Sequence, residues 1–155
     1  MSIAFSVNGN SVSVAVPETT PLLDVLRNHL GLKGTRYGCG LEQCGSCMVL
    51  VDDEPVFACS RETGTIAGRQ ITTIEGLGGA HPLQRAFIDE QAGQCGYCLS
   101  GIILSAKALL DRNPAPSRAE IVVALDRHLC RCGAHPRILR AVDKAAVLLR
   151  GGAPS

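Results

Sequence analysis

Hydrophobic positions change their period near the middle of the chain. In "SIAFSVNG", Ile3, Phe5 and Val7 alternate with polar or small residues, and in "SVSVAV", Val12, Val14 and Val16 do the same. Alternation at period two marks strands with one buried face, and the "NGN" between the two runs marks a tight hairpin. "TTPLLDVLRNHLG" then reads as a helix: Pro21 suits the first helical position, Leu22, Leu26 and Leu30 share a face, and Gly31 ends it. "CMVLVD" and "PVFAC" read as two strands joined at "DDE", with Asp52, Asp53 and Glu54 as a solvated turn. "RQITTI" reads as a last strand. Strands around one helix make a small α+β sheet fold.

From about residue 80 the period is helical. The stretch "GLGGAHP", residues 76–82, is rich in glycine and ends in proline, which places the boundary there. "PLQRAFIDEQAG" opens on Pro82 and stops near Gly93. "LSGIILSAKALLDRN" sets Ile102, Ile103, Ala106, Leu109 and Leu110 at helical spacing and ends at Asn113-Pro114. "SRAEIVVALDRHL" opens with a capping box, Ser117 and Glu120. "PRILRAVDKAAVLLRGG" opens on Pro136, presents Ile138, Val142, Ala145 and Leu149 as a stripe, and stops at Gly151. Four short helices on short connections predict a bundle. The expected organisation is a sheet domain over 1–77, a helical domain over 78–150 and a mobile tail over 151–155. Halves this small are marginal for a core of their own, and a bound metal centre in each would add the missing stability.

Composition narrows the function. The 155 residues are 46% apolar and 19% charged, with a formal net charge of +1, no Trp and five Phe or Tyr. There is no basic stripe and there are few stacking rings, so the chain does not read as a nucleic-acid binder. No apolar run reaches the length of a membrane span. The start has no positive n-region and no sustained apolar core, so no export signal is expected there. The expected compartment is the cytoplasm, or the periplasm if a signal-bearing partner carries the folded chain across. In a reducing compartment disulfides are not the expected use of cysteine.

The eight cysteines divide four and four. Cys39, Cys44 and Cys47 space as C-x4-C-x2-C, with Cys59 following after eleven intervening residues. Cys95 and Cys98 form C-x2-C, and Cys130 and Cys132 form C-x-C. Zinc, redox thiols and iron all use such sulfur sets. A thioredoxin-like pair needs no further cysteines, and Rieske ligation needs histidines that the spacing does not offer. His29, His81, His128 and His135 read as surface or capping residues. Zinc in one or both sets is the main competitor, though the spacing and glycines of the first set argue against it there. The first spacing is that of plant-type ferredoxins, which hold a 2Fe-2S cluster. Gly38, Gly40 and Gly45 suit a loop that turns sharply and brings N–H groups toward anionic sulfur. Lys33 and Arg36, just upstream, are expected to add positive potential to it. Cys95 and Cys98 open a predicted helix, where negative charge is favoured. Cys130 and Cys132 cannot share a helix face, so the chain leaves the helix there.

Taken together, "GCGLEQCGSCMVLVDDEPVFAC", "GQCGYCLSG" and "CRCGAHPRI" resemble the small iron–sulfur subunit of the molybdenum hydroxylases, the xanthine oxidase/aldehyde oxidase family. Within it they are most similar to bacterial enzymes that hydroxylate N-heteroaromatics, such as isoquinoline 1-oxidoreductases and nicotinate dehydrogenases. The likeness runs from about Ile3 to about Leu149. It implies a ferredoxin-like β-grasp domain followed by a four-helix-bundle domain, each with one 2Fe-2S cluster: Cys39, Cys44, Cys47 and Cys59 in the first, Cys95, Cys98, Cys130 and Cys132 in the second. It implies a large molybdopterin-binding partner that hydroxylates an N-heteroaromatic or aldehyde substrate. Gln94 and Cys132 would lie against the pterin, and an external acceptor, a flavin subunit or a cytochrome, would take the electrons. Two positions depart from the common family pattern: Leu99-Ser100 stand where many members have Thr-Pro, and Ser46-Cys47-Met48 where many have Ala-Cys-Thr. Neither departure removes a sulfur. A free-standing ferredoxin and a zinc-stabilised interaction module are the other readings.

Overall fold

The computed structural model describes residues 1–152. Five strands form one mixed sheet: β1 (Ile3–Val7), β2 (Asn10–Val14), β3 (Met48–Val51), β4 (Glu54–Phe57) and β5 (Gln70–Thr72), in the order β2-β1-β5-β3-β4. Only the β1–β5 pair is parallel. The β1–β2 hairpin turns at Asn8 and Gly9, both at positive φ (51° and 83°), which the "NGN" motif anticipates. Strand β2 stops at Val14, two residues short of the expected end. The first helix runs as α1 (Leu22–Asp24) and continues as a wider π-helical stretch, Val25–His29, which buries Leu22, Leu23, Val25 and Leu26 against the sheet. Pro21 stands one position earlier than expected, as the N-cap, with φ −58° and ψ 135°. Its extended ψ lets its carbonyl accept from the Asp24 and Val25 N–H groups.

The second half is helical throughout: α2 (Pro82–Asp89), α3 (Leu99–Arg112), α4 (Arg118–Leu125) and α5 (His135–Leu149). Both ends of the capping box at Ser117 and Glu120 are made. His81 caps α2 through its ring, accepting from the Leu83 N–H at 3.1 Å. Helix α4 is shorter than its pattern predicts, because the chain turns at Asp126 toward the C-x-C segment. The tail expectation falls largely on residues 153–155, outside the described residues; Gly151 and Gly152 still bond back to the Leu148 and Val147 carbonyls at 3.1 and 3.0 Å.

Apolar residues gather into a sheet core, a helical core and a small third cluster that joins the halves. In the third, Leu50 of β3 meets Leu104 and Ala108 of α3. Helix α3 is apolar on nearly every side, as a helix buried on two fronts must be: it packs on α2 and α4 and also lies across β3. Among the described residues no helix is long and apolar enough to cross a membrane.

Candidate metal centres

Residues of both cysteine sets line one cleft of about 420 Å³. Its lining includes Cys39 and Cys44 from the first set and Cys95, Cys98 and Cys130 from the second.

In the first loop, Gly40 and Gly45 adopt φ of 70° and 73°, and Glu42 takes φ 58°. Those reversals turn N–H groups inward. The Leu41 and Gln43 amides donate to Cys39 Sγ at 3.2 and 3.3 Å, and the Cys39 amide donates to Cys44 Sγ at 3.3 Å. Gly38 has a different reason to be glycine: a Cβ there would stand 2.6 Å from Cys44 Sγ. Cys47 is buried at the head of β3, and Cys59 follows β4, so the β3–β4 hairpin carries the fourth sulfur back to the third. The Cys39 thiol is close enough to Cys44 for the two to influence each other's ionisation, and Cys47 stands in the same relation to Cys59.

The second set repeats this pairing on helical supports. Cys98 is the N-cap of α3, Cys95 lies three residues before it, and the C-x-C segment precedes α5. Cys95 interacts with Cys132, and Cys98 with Cys130. The Tyr97 amide donates to Cys95 Sγ at 3.5 Å. Gln94, exposed beside the loop, donates through Nε2 to the Cys132 carbonyl at 3.3 Å. It lines a separate, open cleft with Gln84, Gln91 and Arg137.

Each set thus has one thiol whose pKa is lowered and one whose pKa is raised. Burial pushes Cys39 up, but the Leu41 and Gln43 amides outweigh it and bring the thiol down to about 7. The Tyr97 amide, then Cys132, lower Cys95. Burial pushes Cys47 and Cys98 up to about 12, with their partners Cys59 and Cys130 adding to the rise. Buried thiols of that kind ionise only against strong positive charge, which bound metal supplies.

Do these residues fit a 2Fe-2S cluster? Four sulfurs in each set would suffice to hold a binuclear group. Among the described residues no three His, Cys, Asp or Glu side chains gather as ligands of a single ion. The Gly38 cradle, which a Cβ would fill, and the amides aimed at sulfur both suit an anionic cluster. Among the described residues the only buried polar side-chain atoms without partners are Thr35 Oγ1, Ser100 Oγ and His128 Nδ1, and each residue lies within four positions of a cysteine. The donor sets fit.

Several contacts between the loops are invisible to sequence reasoning. The Leu129 amide donates to the Cys44 carbonyl at 3.0 Å, tying the C-x-C approach to the first loop. His128, expected on the surface or at a cap, is 5% exposed; its Nε2 lies 2.7 Å from Ser105 Oγ and its ring covers Gly45. The turn after α4 drives it inward, because residues 127–129 must pass over the first loop to reach Cys130. Burial, then the charge of Arg127, push its pKa down to about 4. Arg36 also departs from expectation. Its guanidinium lies 5.1 Å from the centre of the Tyr97 ring, in the second loop, while Lys33 turns back onto the Arg27 carbonyl. The isolated Gly101 inside an apolar helical run was the one available signal of a close approach: a Cβ there would lie 2.0 Å from the Gly45 carbonyl oxygen.

Comparison with known proteins agrees with this geometry. Residues 5–71 match the 2Fe-2S iron-sulfur cluster binding domain family and residues 73–143 the [2Fe-2S] binding domain family. The chain is 53% identical to a nicotinate dehydrogenase subunit from Pseudomonas putida over 148 residues, covering 94% of each. It is 52% identical to the alpha chain of isoquinoline 1-oxidoreductase from Brevundimonas diminuta, covering 93% of this chain and 97% of that one. Among solved structures, it superposes on quinoline 2-oxidoreductase from Pseudomonas putida 86 with a TM-score of 0.90 at 35% identity, over 99% of this chain and 98% of that one. It also superposes on the aldehyde oxidoreductase from Desulfovibrio gigas with a TM-score of 0.95 at 39% identity, where 99% of this chain corresponds to 18% of a much longer one. Homologues of this kind work in complexes with a large molybdopterin-binding subunit. The chain belongs to the molybdenum hydroxylases as their iron–sulfur subunit, an electron-transfer component with two 2Fe-2S domains and no substrate chemistry of its own.

Proposed function

We propose that this chain serves a hydroxylase of N-heteroaromatic substrates, with Cys39, Cys44, Cys47 and Cys59 holding one cluster and Cys95, Cys98, Cys130 and Cys132 the other. In this reading residues 1–77 form the first cluster domain and 78–150 the second. A 2Fe-2S cluster, when bound, takes up and releases one electron. The chain's own part is to bind, insulate and orient. Cys39 with Cys44, and Cys47 with Cys59, each offer a sulfur pair; the Leu41 and Gln43 amides offset the anionic charge. The C-x-C segment and Gln94 form the face offered to the large subunit, with Gln94 and Cys132 beside its pterin. The exposed first loop, around Leu41, faces the acceptor, a flavin subunit or a cytochrome. The substrate class rests on the nicotinate- and isoquinoline-oxidising relatives. The cytoplasm is the default compartment, with export in complex as the alternative.

The observation that carries the electron-transfer role is the convergence of both sulfur sets on one cleft. The test is metal and acid-labile sulfide analysis of the complex purified without oxygen. About four irons and about four sulfides per chain are expected, with a molybdenum-containing large subunit co-purifying. A colourless, zinc-loaded chain without sulfide would refute the assignment.

A further inference from the structure

Arg36 belongs to the first sulfur loop by its backbone and to the second by its side chain. Its amide donates to the Ser46 carbonyl at 3.3 Å, between Cys44 and Cys47. Its guanidinium lies over the ring of Tyr97, 5.1 Å from the centroid, inside the Cys95–Cys98 segment. Tyr97 is engaged at three points. Its amide donates to Cys95 Sγ at 3.5 Å, its ring carries the guanidinium, and its hydroxyl donates to the Tyr37 carbonyl, one residue from Gly38. The ring also lines the cleft shared by both sulfur sets.

We propose that Arg36 is a positioning residue of the second iron–sulfur site, clamped there by Tyr97, and that its charge raises the reduction potential of that site selectively. The inference rests on the two-cluster reading above. When the second site accepts one electron from the substrate-oxidising partner it gains one negative charge and no atom, and it loses that charge when the electron moves on. A fixed cation over the Tyr97 ring, inside the Cys95–Cys98 segment, stabilises the more negative state more strongly. Stacking on an aromatic face suits a planar guanidinium better than an ammonium, so the clamp is specific to arginine while the field is not. The Tyr97 hydroxyl bond ties the clamp to the stem of the first loop, so the two loops keep a fixed relation across the cleft.

The test is a redox titration of the intact complex followed by electron paramagnetic resonance, comparing the native protein with Arg36→Gln, Arg36→Lys and Tyr97→Phe. The second-site signal is identified as the one lost in Cys95→Ser. Arg36→Gln is expected to shift the midpoint of that signal downward and leave the other in place. Arg36→Lys should recover part of the shift, because it restores charge without the stacking plane. Tyr97→Phe keeps the ring and should move the same midpoint less than Arg36→Gln does. Equal shifts of both signals, a shift of the first alone, or no shift in Arg36→Gln would overturn the proposal. A native complex that shows no pair of iron–sulfur signals would instead overturn the function reading, so the two failures are distinct. Should Arg36→Gln fail to assemble, Arg36→Met decides: a downward shift confined to the second-site midpoint supports the proposal, and a midpoint identical to native overturns it.

Discussion

Gly101→Ala should destabilise this protein, although replacing glycine by alanine inside a helix ordinarily does the opposite. In an open helix the change is worth about 1 kcal/mol in favour of alanine. Here the new Cβ would lie 2.0 Å from the Gly45 carbonyl oxygen and 3.3 Å from Met48 Cβ, and real Cβ atoms do not approach closer than 3.0 Å. Helix α3 and the first sulfur loop must therefore separate by at least about 1 Å (3.0 less 2.0). Overpacking of that order costs about 1–3 kcal/mol. The Gly45 carbonyl also accepts from the Met48 amide at 3.0 Å, and losing that bond adds about 1 kcal/mol. The net expectation is a loss of about 1–3 kcal/mol, a fall of several degrees in Tm for a chain of this size. Thermal unfolding of the assembled complex measures it, together with iron content and the two paramagnetic signals. Gly45 lies between Cys44 and Cys47, so the first-site signal should weaken or broaden before the second. A Gly101→Ala protein as stable as native, with both signals unchanged, would refute the claim that α3 and the first loop are in backbone contact.

Cys95→Ser is expected to abolish one paramagnetic signal and spare the other, since Cys95 and Cys98 interact with Cys132 and Cys130 of their own set; loss of both would contradict independent sites. Ser105→Ala removes the partner 2.7 Å from His128 Nε2 and leaves a buried ring with neither nitrogen bonded, so denaturant unfolding should report a loss of about 1–3 kcal/mol. Ser117→Ala breaks the capping box at α4 and should cost about 0.5–2 kcal/mol by the same assay, with iron content unaffected.

Much of the architecture is legible in the chain because its signals are local. Alternation along β1 and β2, the Asn8–Gly9 turn, the Ser117 box and the Asn113-Pro114 stop depend on near neighbours, and each feature forms there, with β2 and α4 ending short of their patterns. The division of the cysteines into two sets is equally legible, since spacing along the chain limits which sulfurs one loop can bring together. Two expectations fail because a residue's sequence neighbours are not its spatial ones. Arg36 adjoins the first loop in sequence, yet its side chain stacks on Tyr97 of the second. His128 has the polarity of a surface residue, yet the chain running to Cys130 buries it over Gly45.

The sequence by itself therefore determined the elements, their order and the two sulfur sets, because short-range periodicity and turn chemistry are written residue by residue. Tertiary structure alone decided that the sets face one cleft, that Gly101 and Gly45 touch, and that Arg36 reaches the second loop. Those facts depend on how α3 lies across β3. That is settled by packing Leu50 against Leu104 and Ala108, residues distant in sequence whose apolar character says only that each is buried, not against what.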